Sequence, residues 1–167
     1  VGPSLSVLVV AHNEAEQLAD CLSCLTDADE LVVVLDKCTD RSRNIASDYT
    51  DRLIEGSWDL EGERRNVGLD FCQGEWILEV DADERVPVRL FEEIRETIAT
   101  AEPGYFLIPF DNYIGERLVR CGWGGSWGVM AAPRLSSRGA KRWGAQRIHP
   151  SLYLLGQKRW LTTSINH

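Results

Sequence analysis

No acidic side chain follows Glu116 in this 167-residue chain, and all 26 Asp and Glu residues lie at or before that position. Residues 1–116 set 9 Lys and Arg against those 26 acids, whereas residues 117–167 carry 9 cations alone. The formal net charge of −8 therefore conceals two segments of opposite sign. An acidic whole excludes general nucleic-acid binding, while a basic end segment is suited to phosphates or an anionic membrane surface. Apolar runs are short: none approaches the roughly 20 residues that span a bilayer. The first residues enter a strand-like segment without the charged, apolar and small-residue regions of a signal peptide, which sets a cytoplasmic expectation.

Other absences narrow the function. Cys21, Cys24, Cys38, Cys72 and Cys121 are odd in number and widely spaced, a pattern of reduced thiols rather than of a disulfide framework. The pair Cys21 and Cys24 lacks the second pair that a structural metal site needs. Neither GxGxxG nor GxxxxGK[ST] occurs, which argues against a dinucleotide oxidoreductase and a P-loop NTPase. No internal repeat and no linker interrupts the chain, so its length corresponds to one domain.

What is present is a regular alternation. Leu5 to Ala11 and Leu31 to Leu35 are nearly continuous β-rich apolar runs, the pattern of strands buried on both faces. Between them Leu18, Cys21, Leu22 and Leu25 recur at helical spacing. Thr39 or Asp40 can cap a second helix reaching about Tyr49. Arg52 to Glu55 reads as a short strand, Gly62 to Cys72 as a polar helix and Trp76 to Val80 as a further buried strand. Pro87 suits a helix start, Leu90, Phe91, Ile94 and Ile98 supply its apolar stripe, and Tyr105 to Phe110 forms another strand. The order β-α-β-α-β-α-β-α-β predicts an α/β fold with a mostly parallel central sheet and helices on both faces. Beyond Glu116, glycines 122, 124, 125 and 128 interleave with Trp123 and Trp127 and read as a loop, followed by weaker strands near Val129 to Ala132 and Ser151 to Leu155.

Ligands of open α/β sheets bind outside the carboxyl ends of the strands. Three such ends carry acids or amides: Asn13 and Glu14 after the first strand, Asp36 after the second, and Asp81 and Asp83 after the fourth. Glu79, Asp81 and Asp83 project to one face if the strand continues, and carboxylates that close repel unless a cation or a proton intervenes. Mg²⁺ or Mn²⁺ is an economical remedy, since such ions combine one or two carboxylates with waters and substrate phosphates. The alternative is a solvated acidic turn whose Asp83 and Glu84 favour a following helix N-terminus. Arg64 and Arg65 offer two guanidinium forks for a diphosphate, or a solvated helix face.

These residues stand in three ordered motifs: LSVLVVAHNEAEQLADCL, LVVVLDKCTDRSRNIA and GERRNVGLDFCQGEWILEVDADERV. Together they resemble glycosyltransferase family 2, inverting nucleotide-sugar enzymes of the GT-A fold, over residues 5 to 100. DNYIGERLVRCGW and RWGAQRIHPSL are similar to the branch containing lipopolysaccharide core β-glucosyltransferases. The resemblance implies one GT-A-like, Rossmann-like domain, with residues 1–110 as the nucleotide-sugar half and 111–167 as a shortened acceptor half. It implies that Asn13 and Glu14 lie at the nucleotide, that Asp36 meets the base, and that Arg64 or Arg65 approaches the nucleotide or its diphosphate. Asp81 would face ribose and metal, Asp83 would be the principal metal ligand, and His149 would stand near the diphosphate or the metal.

The implied reaction is a single displacement in which an acceptor hydroxyl attacks the anomeric carbon, with Mg²⁺ or Mn²⁺ at the departing nucleoside diphosphate. Such attack benefits from a carboxylate base. Pro150 occupies the place where the resembling branch has Glu, and the nearest remaining acids are Asp111 and Glu116. The implied partners are a nucleotide diphosphosugar donor, a glycan or lipid-linked anionic acceptor and, through the basic C-terminal segment, the inner face of a membrane. Two other readings stay open. The missing acids suggest a degenerate, non-catalytic nucleotide-binding or interaction module of the same fold. A sugar-phosphate nucleotidyltransferase is disfavoured because His12, Asn13 and Glu14 stand where its glycine-rich basic loop belongs.

Overall fold

The computed structural model describes residues 2–111, 113–114, 117–118, 130–147 and 150–167. The first part follows the alternation expected from the sequence: β1 (Leu5–Ala11), α1 (Leu18–Ser23), β2 (Glu30–Asp36), α2 (Ser42–Ser47), β3 (Leu53–Gly56), α3 (Glu61–Phe71), β4 (Trp76–Asp81), α4 (Val88–Ile98) and β5 (Gly104–Asp111). Short strands follow at β6 (Tyr113–Ile114), β7 (Arg117–Leu118), β8 (Ala131–Ser137), β9 (Lys141–Trp143), β10 (Leu152–Leu154), β11 (Gln157–Trp160) and β12 (Ile165–Asn166). Local chemistry sets the helix starts. The Asp40 carboxylate accepts from the Ser42 N–H at 2.9 Å at the head of α2, and Pro87 directly precedes α4, where its missing N–H costs nothing.

The main sheet runs β11-β5-β8-β4-β1-β2-β3, with β12 pairing alongside β5. β1 pairs in parallel with both β2 and β4, and β2 with β3, whereas β8 is antiparallel to β4 and β5. The weak strand expected to end near Ala132 thus extends to Ser137 and sits inside the sheet. Pro133 and the polar run around it hid this. The structure accommodates the proline at a register shift between Phe106 and Leu107, on the stretch where β8 has already parted from β4.

Strand alternation divides the core between the two faces of the sheet. Leu5, Val7, Val9, Val33, Leu35, Trp76, Leu78 and Val80 pack with Leu18, Leu22, Ala46, Leu90, Phe91 and Ile94, so α1, α2 and α4 cover one face. Leu8, Val32, Val34 and Ile77 pack with Leu69 of α3 and with Cys72 just beyond it on the other, where Trp143 of β9 also lies. Each fully buried aliphatic side chain contributes about 1.5–3 kcal/mol. α3 lies close to its neighbours through two glycines: a Cβ on Gly68 would collide with Leu8, and one on Gly62 with the carbonyl of Gly144 beside β9. This contact draws the later part of the chain over the α3 face. On that face the even-numbered Asp36 and the odd-numbered Glu79 and Asp81 emerge, at the carboxyl ends of β2 and β4.

Candidate functional site

The loops after β1 and β2 are tied together first. Asn13 takes a left-handed conformation (φ 56°), and its side-chain oxygen accepts from the N–H groups of Thr39 at 2.8 Å and Asp40 at 3.3 Å. The Glu14 N–H donates to Ser42 Oγ at 2.9 Å, and its carboxylate accepts from Gln17. Asn13 and Glu14 therefore shape the rim next to Asp36. Asp36 itself is 5% exposed and fully engaged: Oδ1 accepts from the Trp58 N–H and Oδ2 from Arg64 Nη1, each at 3.0 Å.

The next residue of α3 points to the other strand end. Arg65 Nη2 donates to Asp81 Oδ1 at 2.9 Å and its Nε to Glu61 Oε1 at 2.9 Å, with the guanidinium 4.8 Å from the Trp143 ring centroid. Arg134 of β8 approaches from the opposite side, its Nη2 lying 2.5 Å from both Asp81 Oδ2 and Glu84 Oε1. Behind them Glu79 pairs with the Lys141 ammonium and accepts from Trp143 Nε1 at 2.9 Å. The crowded carboxylates at 79, 81 and 84 are thus neutralised by Arg65, Arg134 and Lys141. These guanidinium and ammonium groups supply the cations that the spacing of Glu79 and Asp81 calls for.

Burial sets the electrostatics. Burial pushes the Asp81 carboxyl up, but the Arg134 and Arg65 guanidinium groups outweigh it and hold it far below the usual range. Glu84 is pushed up to about 7 because its burial outweighs Arg134. Burial pulls the Lys141 ammonium down against Glu79. Cys21 and Cys72 are pushed up to about 12 by burial and stay unreactive thiols. Cys21, Cys24, Cys38 and Cys72 are free, and Cys121 lies outside the described residues.

Asp83 behaves differently from Asp81. It sits beyond the strand, half-exposed, with Oδ2 3.2 Å from His167 Nε2 and no Lys or Arg partner among the described residues. His167 is placed by β12: its N–H donates to the Asp111 carbonyl at 2.9 Å, and its ring meets Phe110 edge-on. Asp111, half-buried at the end of β5, therefore adjoins this corner. Glu116 and His149 lie outside the described residues. No group of three or more His, Cys, Asp or Glu side chains is poised for a metal among the described residues.

A cavity of about 380 Å³ opens between these groups, lined by Arg65, Asp81, Arg134, Lys141 and His167 and walled by apolar side chains that include Phe110 and Trp143. Arg134 Nε, buried, has no hydrogen-bond partner. Asp36, Arg64, Arg65, Asp81 and Asp83 thus converge on one edge of the sheet. Arg134, Lys141 and His167 were not legible as site residues. The available signal was the acid-free segment itself, whose cations have no counter-charge of their own.

The sequence model described as Glycosyl transferase family 2 matches residues 6–120. A TPR repeat-containing protein of Synechococcus elongatus is 31% identical over 106 residues, covering 62% of this chain and 26% of its own length. The lipopolysaccharide core biosynthesis glycosyltransferase LpsC of Rhizobium meliloti is 26% identical over 121 residues, covering 70% and 42%. Among solved structures, S. aureus TarS 1–349 in complex with UDP-GlcNAc matches at 25% identity and TM-score 0.59, over 69% of this chain and 36% of that one. The glucosyl-3-phosphoglycerate synthase of Mycobacterium tuberculosis, in complex with Mn²⁺, UDP and phosphoglyceric acid, shares the fold at 24% identity and TM-score 0.53, over 66% and 44%. The chain spans less than half the length of each of these proteins.

Proposed function

Because the chain belongs to glycosyltransferase family 2, we propose that it transfers a sugar from a nucleotide diphosphosugar to an acceptor hydroxyl with inversion, in bacterial surface-glycan or lipopolysaccharide synthesis. The observation that carries this reading is the convergence of Asp36 with Arg64, and of Asp81 with Arg65 and Arg134, at the carboxyl ends of β2 and β4. In this reading Asp36 receives the base once Arg64 yields one carboxylate oxygen. Arg64, freed, turns to the diphosphate. Asp81, held in its charged form by two guanidiniums, accepts from ribose.

The donor set suits a hard cation at one point. Asp83 and His167 offer a carboxylate and an imidazole without a competing ammonium or guanidinium among the described residues, and Mg²⁺ or Mn²⁺ completes such a shell with water and phosphate oxygens. Asp81, with both oxygens occupied by arginines, serves the metal less directly. His149 belongs to this proposal only through the resemblance. Held there, the ion would supply charge stabilisation for the departing diphosphate. The reacting sugars occupy the cavity beside Asp81. Asp111, at the end of β5 beside β12, and Glu116 are the candidate bases.

Arg138, Arg147 and Lys158 are exposed and form no ion pair among the described residues, which suits an anionic acceptor or the inner face of a membrane. No helix among the described residues is long and apolar enough to cross a bilayer. A non-catalytic module is favoured only by the acid-free segment. Titration calorimetry with UDP and GDP, with and without Mn²⁺, tests the reading. Metal-enhanced binding of one nucleotide that Asp83→Ala removes is expected. Absence of binding to both would falsify the assignment, and binding without turnover on mixed acceptors would favour the module.

A further inference from the structure

We propose that Arg134 is a positioning residue, which sets the affinity of the site for a divalent cation through Asp81 and Glu84 without touching the cation. The proposal rests on the metal assignment at Asp83 made above. The segment from Asp81 to Glu84 is a tight turn closed by the Glu84 N–H on the Asp81 carbonyl at 2.9 Å. A second bond runs back across it, from the Asp81 N–H to Glu84 Oε2 at 2.8 Å. The Asp81 and Glu84 carboxylates would repel each other in this buried place, and one guanidinium nitrogen of Arg134 bridges both. Asp83 projects from the tip of that turn toward His167, so the clamp fixes where its carboxylate stands.

The origin of Arg134 makes the clamp a device of the fold. It comes from β8, at the register shift against β5 and next to the residues that pair with β4. The residue is 9% exposed and its guanidinium lies 5.4 Å from the Phe110 ring centroid. Phe110 also meets the ring of His167. One side chain therefore braces the acidic turn and the aromatic residue beside the imidazole. Arginine suits this place because its guanidinium stays charged when buried and lies over an aromatic face while one nitrogen serves two carboxylates. Groups that orient metal ligands from behind commonly change metal affinity by about 10–100-fold when removed.

The test uses the whole chain with UDP and Mn²⁺, reading free Mn²⁺ by electron paramagnetic resonance and UDP binding by calorimetry, with urea melts to verify folding. Arg134→Gln is expected to weaken nucleotide-dependent Mn²⁺ binding about tenfold or more while the urea melt still shows a folded protein. Arg134→Lys, which keeps the charge and loses the planar group over Phe110, is expected to fall between the Gln variant and the wild type. A folded variant of either kind that binds Mn²⁺ like the wild type overturns the proposal, and the Lys variant decides if the Gln variant does not fold. A wild-type protein that binds UDP without any Mn²⁺ enhancement removes the metal assignment itself, and the proposal with it.

Discussion

The chain up to Asp111 and the chain from Met130 onward use charge in opposite ways. In the first, most acids are exposed, on loops and helix faces, and the strand interiors are largely apolar. In the second, cations turn inward: Arg134 and Lys141 are 9% and 5% exposed and neutralise Asp81, Glu84 and Glu79 across the sheet. Arg142 reaches Asp70 at the surface, and Arg159 reaches the Glu102 carbonyl. The acid-free segment is therefore in good part the counter-charge of the segment before it, and only its remaining exposed cations can serve an anionic partner. A net charge by segment describes pairing inside the molecule as much as a surface outside it.

The sharpest way to break that comparison is the pair of Lys141 and Glu79. Both side chains are at most 2% exposed, so removing one leaves the other charged and out of water. Lys141→Met is expected to destabilise the fold by about 3–5 kcal/mol in urea denaturation. The double variant Lys141→Met with Glu79→Leu is expected to recover most of that loss, because an apolar pair of similar volume has no charge to desolvate. A single variant as stable as the wild type would show that Glu79 reaches water and that the pairing across the sheet is incidental.

The same contrast explains what the sequence could reveal. The parallel part was legible because each strand is a continuous apolar run and each helix has its own stripe, signals that reside in neighbouring residues. Asp36, Asp81 and Asp83 were legible because strand ends are where such sheets bind. The later part follows another logic. Pro133, Arg134, Ser136 and Ser137 read as a poor strand, and they form one because β4 and β5 already offer edges on both sides. Lys141 and Arg134 carry no local mark of burial, since their carboxylate partners lie fifty or more residues earlier in the chain. His167 is a site candidate only through its place beside Asp83.

A smaller effect comes from the exposed counterpart. Arg142 and Asp70 are linked across the same pair of segments at 2.5 Å, but their side chains are 54% and 58% exposed. Water and salt screen such a pair, so Arg142→Ala is expected to cost less than about 1 kcal/mol. A double-mutant cycle with Asp70→Ala in low and high salt checks this. A coupling comparable to that of Lys141 and Glu79 would mean that the distinction between inward and surface cations carries no energetic weight.

The smallest expected effect is a pH response where an acid of the first part holds the backbone of the second. Glu93 of α4 accepts from the Thr162 N–H at 2.7 Å, the Thr162 hydroxyl at 2.8 Å and the Thr163 N–H at 2.8 Å. Burial pushes its carboxyl up, but these hydrogen bonds outweigh burial and hold it below its ordinary value. A folded-state value below the unfolded one means that the unfolded chain binds the proton more readily. The stabilisation is therefore complete above the ordinary Glu range near 4.3 and is lost as the pH falls through the lowered folded value. Glu93→Gln keeps one acceptor oxygen and removes the titration. Its stability relative to the wild type is expected to be lower at neutral pH, with the difference narrowing below about pH 4. A difference constant across that range would show that the threonines bind the carboxyl equally well in both protonation states, and that this joint between the two parts is geometric rather than electrostatic.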